Sequence, residues 1–106
     1  MKKILLACSS GMSTSLLVNK MIQAAKDQGI EAEIWAVGQS QVPAEIEKAD
    51  IILFGPQMRF LKKKFEGKAK ELNIPIDSIA PVLYGRCDGA GVLKTALDLI
   101  DKNGAK

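Results

Sequence analysis

Residues Lys3 to Leu17 read K-I-L-L-A-C-S-S-G-M-S-T-S-L-L, and the fold follows from this stretch. Lys3 to Ala7 is a short apolar run, the composition of a strand buried on both faces. Ser9, Ser10 and Gly11 break it at once. From Ser13 or Thr14 the pattern becomes helical and reaches Gln28. Leu17, Met21, Ala24 and Gln28 share one face, with Val18, Ile22 and Ala25 beside it. Gly29 is a residue suited to ending a helix. The stretch therefore reads as strand, tight turn, helix.

The rest of the chain repeats that alternation. Glu31 to Val37 places Ala32, Ile34 and Ala36 on one side and Trp35 and Val37 on the other, a second strand with Trp35 expected in the core. Pro43 to Lys48 suits a short helix with proline in its first turn. Asp50 to Phe54 (D-I-I-L-F) is a third, fully buried strand closed by Gly55-Pro56. Arg59 to Leu72 is a helix, Pro75 to Ile79 a weaker fourth strand, and Ala80 to Asp88 a loop. Gly89 or Ala90 to Lys102 is an amphipathic helix with Leu93, Ala96, Leu97 and Ile100 inward. This order implies an α/β fold: a four-stranded parallel sheet with helices on both faces. Ligands of such sheets bind at the carboxyl ends of the strands. Cys8 to Ser13, Gly55 to Gln57 and Tyr84 to Asp88 all fall there.

The chain has 106 residues, enough for one domain spanning residues 1–106 with a core of its own. Hydrophobic residues make up 47% and charged residues 25%, a globular balance that argues against disorder. A net charge of +3 with scattered charges does not point to nucleic acid; only Lys62, Lys63 and Lys64 cluster, and a docking face for an acidic partner is open to them. The two cysteines form neither a disulfide framework nor a metal-ligand spacing, so a reducing, cytoplasmic setting is expected. The apolar runs are too short to span a bilayer. There is no histidine, which excludes Cys-His and Ser-His-Asp nucleophilic systems and histidine metal sites within this sequence. No metal or organic cofactor is expected, and the chain is expected to be a monomer.

The chemistry lies in Cys8-Ser9-Ser10-Gly11-Met12-Ser13-Thr14. Glycine permits a tight turn, and the start of a helix leaves backbone N–H groups unpaired. With the helix dipole these form an anion site, to which the hydroxyls of Ser9, Ser10, Ser13 and Thr14 add donors or caps. A thiol at the mouth of such a nest is shifted toward the thiolate, a nucleophile. A free cysteine alone is better read as a small buried residue; the glycine-serine turn behind Cys8 reverses that reading. Cys87 has no such turn and is read as structural. The loop resembles the Cys-x5-Arg-Ser phosphate loop of low-molecular-weight tyrosine phosphatases, but Thr14 stands at the arginine position. Without an arginine on the equatorial oxygens, hydrolysis should be poor while transfer of the group is retained.

C-S-S-G-M-S-T-S-L-L near the start resembles the phosphorylation loop of the IIB proteins of the lactose/cellobiose/chitobiose class of the sugar phosphotransferase system. Asp50 to Gln57 (D-I-I-L-F-G-P-Q) and Val82 to Lys94 (V-L-Y-G-R-C-D-G-A-G-V-L-K) resemble two further segments of that family. The resemblance covers nearly the whole chain. It implies that Cys8 accepts a phosphoryl group from a phosphohistidine on a IIA partner. It also implies transfer to a sugar, a β-linked disaccharide such as cellobiose, chitobiose or lactose, held by a membrane-embedded IIC partner. Phe60 departs from the tyrosine often found after the Gly-Pro-Gln turn in that family. Two alternatives stay open: a phosphatase or arsenate-reductase-like enzyme, and a flavin-binding module, since Ser9 to Thr14 is similar to a flavodoxin phosphate loop.

Other residues carry weaker signals. Gly55, Pro56 and Gln57 either frame the pocket or simply end a strand. Tyr84 either lines the site or packs. Arg86 and Asp88 read as solvated loop charges. Arg59 and Lys62 to Lys64 read as a wet helix face or as a docking surface for IIA.

Overall fold

The computed structural model describes the backbone of residues 2–8, 11–58 and 60–104, and the side chains of these except 8, 11–14, 39, 57, 103 and 104. The strands are β1 (Lys2–Cys8), β2 (Ala32–Gly38), β3 (Ile51–Phe54) and β4 (Ile76–Ser78). The helices are α1 (Gly11–Asp27), α2 (Val42–Glu45), α3 (Phe60–Glu71), α4 (Pro81–Gly85) and α5 (Gly89–Gly104). Single 3-10 turns cover Gln39–Gln41, Ile46–Lys48 and Pro56–Met58. The sheet order is β2-β1-β3-β4, and every pairing is parallel.

Side-chain parity sorts the strands between two cores. Ile4 and Leu6 of β1, with Ile51 and Leu53 of β3 and Ile34 of β2, face α1 and α5, where they meet Leu17, Met21, Leu93 and Ala96. Leu5 and Ala7, with Ile52 and Phe54, face α2 and α3, where they meet Val42, Ile46, Leu61 and Phe65. Because strand neighbours alternate across the sheet, a slip of one residue would exchange the two cores. Phe54 and Phe65 stack with ring centroids 6.1 Å apart. Ile4, Leu5, Leu6 and all of β3 have no solvent exposure, which is why these runs carry almost no polar residue.

The expected alternation of strands and helices is present, with local corrections. Ala80 to Asp88 is not all loop: Pro81 starts the five-residue α4. One and a half turns cannot set up a helical period, so only the proline gave notice of it. Gln28 lies beyond α1 and is exposed, so it is not part of the buried face. Trp35 is half-buried, not a core residue, because β2 is an edge strand.

Candidate functional site

In a sheet ordered β2-β1-β3-β4 the connection from β1 runs to one side and β3 lies on the other. The carboxyl ends of β1 and β3 therefore flank the switch point, the place where open α/β sheets bind ligands. Cys8 is the last residue of β1 and pairs with Gly38 at the end of β2. Ala7 pairs with Phe54, and the Gly55 N–H donates to the Ala7 carbonyl at 3.0 Å. The turn after β3 is thereby fixed beside the end of β1. Met58 N–H donates to the Gly55 carbonyl at 2.8 Å, closing that turn over the buried Met58 side chain. Ile79 N–H donates to the Phe54 carbonyl at 2.8 Å and brings the end of β4 level with it.

The expected phosphate loop falls only partly among the described residues. Ser9 and Ser10 lie outside them, as do the side chains of Cys8, Met12, Ser13, Thr14 and Gln57. The backbone of Gly11, Met12, Ser13 and Thr14 forms the first turn of α1, which begins two residues earlier than the sequence pattern suggests and lacks any acidic residue there. Gly55 is buried and Pro56 half-buried at the adjoining turn. Tyr84, on α4, is half-buried against the core between the sheet and α1/α5, which is its packing reading.

One residue, Asp88, has a role that the sequence reading missed. Asp88 is half-buried, and its Oδ1 accepts the Gly91 N–H at 3.0 Å, which caps the start of α5. An aspartate three residues ahead of that N–H was the available signal. Cys87 is half-buried and closes α4 in a left-handed conformation, φ 52°, with its N–H on the Tyr84 carbonyl. No group of three or more His, Cys, Asp or Glu residues suited to a metal occurs among the described residues.

A polar cluster lies elsewhere. The Trp35 Nε1–H donates to Glu45 Oε1 at 3.1 Å, and Lys48 Nζ donates to Glu45 Oε2 at 2.9 Å. These bonds hold the Glu45 carboxyl below its ordinary value, Lys48 contributing most, against a partial desolvation. With Lys3, Glu33 and Ile34 the three residues line a groove of about 470 Å³. Lys3 sits five residues before Cys8 on β1, so the groove is roughly 16 Å from the switch point at ~3.3 Å per residue.

An open parallel sheet with a cysteine at its switch point defines the class: an α/β protein built to bind or react at the carboxyl edge. The chain belongs to the lactose/cellobiose-specific IIB subunits of the sugar phosphotransferase system, whose family model matches residues 3–95. It is similar to the oligo-beta-mannoside-specific EIIB component of Bacillus subtilis (strain 168), with 53% identity over 94% of this chain and 97% of the relative. It is also similar to the cellobiose-specific EIIB component of Lactococcus lactis subsp. lactis (strain IL1403), with 40% identity over the same shares. Among solved structures, the cellobiose-specific IIB protein of Borrelia burgdorferi has a TM-score of 0.80 at 36% identity, covering 96% of this chain and 94% of that one. The lactose-specific IIB domain of Streptococcus pneumoniae has a TM-score of 0.83 at 18% identity, covering 92% and 96%, and shows the shared fold. The chain is thus a sugar-specific phosphocarrier component of a phosphotransferase system.

Proposed function

We propose that Cys8 carries the phosphoryl group. The observation that carries this reading is its place: the last residue of the central strand, at the β1/β3 switch point, directly ahead of α1. The thiolate attacks the phosphorus of a phosphohistidine on a IIA protein; an S–P bond forms and the N–P bond breaks. A sugar hydroxyl bound by the IIC permease then attacks the same phosphorus. An O–P bond forms, the S–P bond breaks, the thiolate is restored, and the hydroxyl proton leaves to solvent. The absence of histidine fits a chain whose donor histidine belongs to a partner. Backbone N–H groups of Ser9, Ser10, Gly11, Met12, Ser13 and Thr14 hold the phosphoryl oxygens, with Gly55, Pro56, Gln57 and Tyr84 as rim. Spreading that charge over fixed donors is the protein's main contribution to such a transfer.

The substrate class is a β-linked disaccharide, a reading supported by relatives named for oligo-beta-mannoside and cellobiose. The working location is the cytoplasm beside the membrane-embedded IIC, and no described helix is long and apolar enough to cross a membrane. The test is intact mass after incubation with phosphoenolpyruvate, the general phosphotransferase proteins and a IIA protein. Wild type gains one phosphoryl group, Cys8→Ser gains none, and Cys87→Ser behaves as wild type. Equal phosphorylation of Cys8→Ser would overturn the assignment.

A further inference from the structure

Between α4 and α5 the chain turns tightly on its own backbone. Cys87 N–H donates to the Tyr84 carbonyl at 3.1 Å, Asp88 N–H to the Leu83 carbonyl at 2.9 Å, and Gly89 N–H to the Cys87 carbonyl at 2.9 Å. Asp88 then caps α5 through the Gly91 N–H, and its carbonyl accepts the Val92 N–H at 3.0 Å. Gly91 lies under the capping carboxylate: a Cβ there would stand 2.8 Å from Asp88 Oδ2 and 2.9 Å from Leu83 Cδ2. Gly89, buried at the start of α5, lies against the middle of α1. A Cβ on Gly89 would stand 2.4 Å from the Lys20 carbonyl carbon and 2.6 Å from both Lys20 Cβ and the Met21 nitrogen. Two of these three atoms are backbone, which no change of rotamer can move. Glycine favours a helix less than alanine does; what it supplies here is close approach.

That approach bears on the reacting end of the molecule. Cys8 ends β1 and Gly11 begins α1, so only Ser9 and Ser10 join the two elements. β1 is fixed between β2 and β3. α1 is located by its packing against α5 and the sheet. Lys20 and Gly11 belong to one uninterrupted helix, about 14 Å apart along its axis at ~1.5 Å per residue. Over that length a helix moves as a body, and two residues offer little chain in which to absorb a shift. An alanine at Gly89 requires α1 and α5 to part by about 1 Å to restore ordinary contact. A misplacement of about 1 Å, set up far from the reacting atoms, can cost about a hundredfold in rate.

We infer that Gly89, held in place by the Asp88 cap, is a positioning residue for phosphoryl transfer: it sets how closely α1 lies against α5, and so where the first turn of α1 stands relative to Cys8. The inference rests on Cys8 as carrier. Gly89 touches neither thiol nor phosphoryl group and acts through α1 alone. The same contact accounts for Gly91 and Asp88, which hold the first turn of α5 in register behind it.

The test measures phosphoryl transfer from a phosphorylated IIA protein of the lactose/cellobiose class by quenched intact mass, together with the pH profile of Cys8 alkylation by iodoacetamide. Every chain carries Cys87→Ser, so that Cys8 is the one thiol present, and circular dichroism verifies each fold. Against this parent, Gly89→Ala lowers turnover about thirty- to hundredfold, with KM for the phosphorylated IIA protein within about twofold. It also moves the alkylation midpoint up toward that of a free thiol. Ile46→Ala empties a core position on the other face of the sheet at a comparable loss of stability and moves neither readout. Asp88→Ala removes the cap and lowers turnover about fivefold, whereas Asp88→Asn keeps the accepting oxygen and restores it. Parent-like turnover in Gly89→Ala, a loss matched by Ile46→Ala, or an unmoved alkylation midpoint would each overturn the inference. So would equal rates for the two Asp88 variants, a comparison that stands even where Gly89→Ala does not fold. A parent phosphorylated at a residue other than Cys8 would overturn the carrier reading and this inference with it. A parent that transfers through Cys8 while Gly89→Ala keeps pace would overturn this inference alone.

Discussion

Three helices close on left-handed residues of different kinds: Gly29 at φ 68°, Asn73 at 57° and Cys87 at 52°. In each case the next N–H reaches back five residues, Ile30 to Ala25, Ile74 to Ala69 and Asp88 to Leu83. Only glycine adopts this conformation without a Cβ penalty. In Gly29→Ala the new Cβ meets nothing within 4 Å, so the cost is conformational alone, about 1 kcal/mol in urea denaturation. Gly89→Ala fails for another reason. Its Cβ would lie 2.6 Å from the Met21 backbone nitrogen of α1, so two helices must separate, at about 2–3 kcal/mol. Equal losses for the two variants would refute this distinction. The sequence made Gly29 readable as a helix end. Asn73 and Cys87 gave no such notice, because their backbone angle is set by the hydrogen bonds of the completed turn.

At the scale of elements, β1 and β3 were legible because burial on both faces leaves a continuous apolar run. The parity of β2 was legible too, with Ile34 and Trp35 on opposite faces as expected. The meeting of Gly55 with Ala7 was not, because it depends on the register between β1 and β3, which no local pattern encodes. The same holds for the link from β2 to α2, where Trp35 and Lys48 both bond Glu45. The Glu45 carboxyl is held below its ordinary value of 4.5. The ionised group therefore contributes stability above that pH and loses the contribution as pH falls through its lowered folded value. Wild type is expected to melt above Glu45→Gln at pH 7, with the difference closing below about pH 4.5. A gap that persists at pH 3 would show that packing, not charge, accounts for it.

The whole molecule has two cores sharing one sheet, and every residue of β3 belongs to one or the other. Neither core can dissolve without exposing a face of β1 and β3. We therefore expect residues 1–106 to unfold as one unit. Fluorescence of Trp35, on the edge strand, and far-ultraviolet circular dichroism, dominated by the helices, should give coincident urea transitions. Separate midpoints would indicate that the sheet edge comes apart first. The length and composition give the expectation of a single unit, which these transitions test.

The central position of β1 also has a consequence in time. Its interior residues carry no exposure, and its amides are paired with strands on both sides. Such amides exchange their hydrogens with solvent only through openings that approach global unfolding. Cys8 thus terminates the slowest-exchanging segment of the chain. The end of β1 is therefore held by a backbone anchor that stays fixed while less buried segments open and close many times.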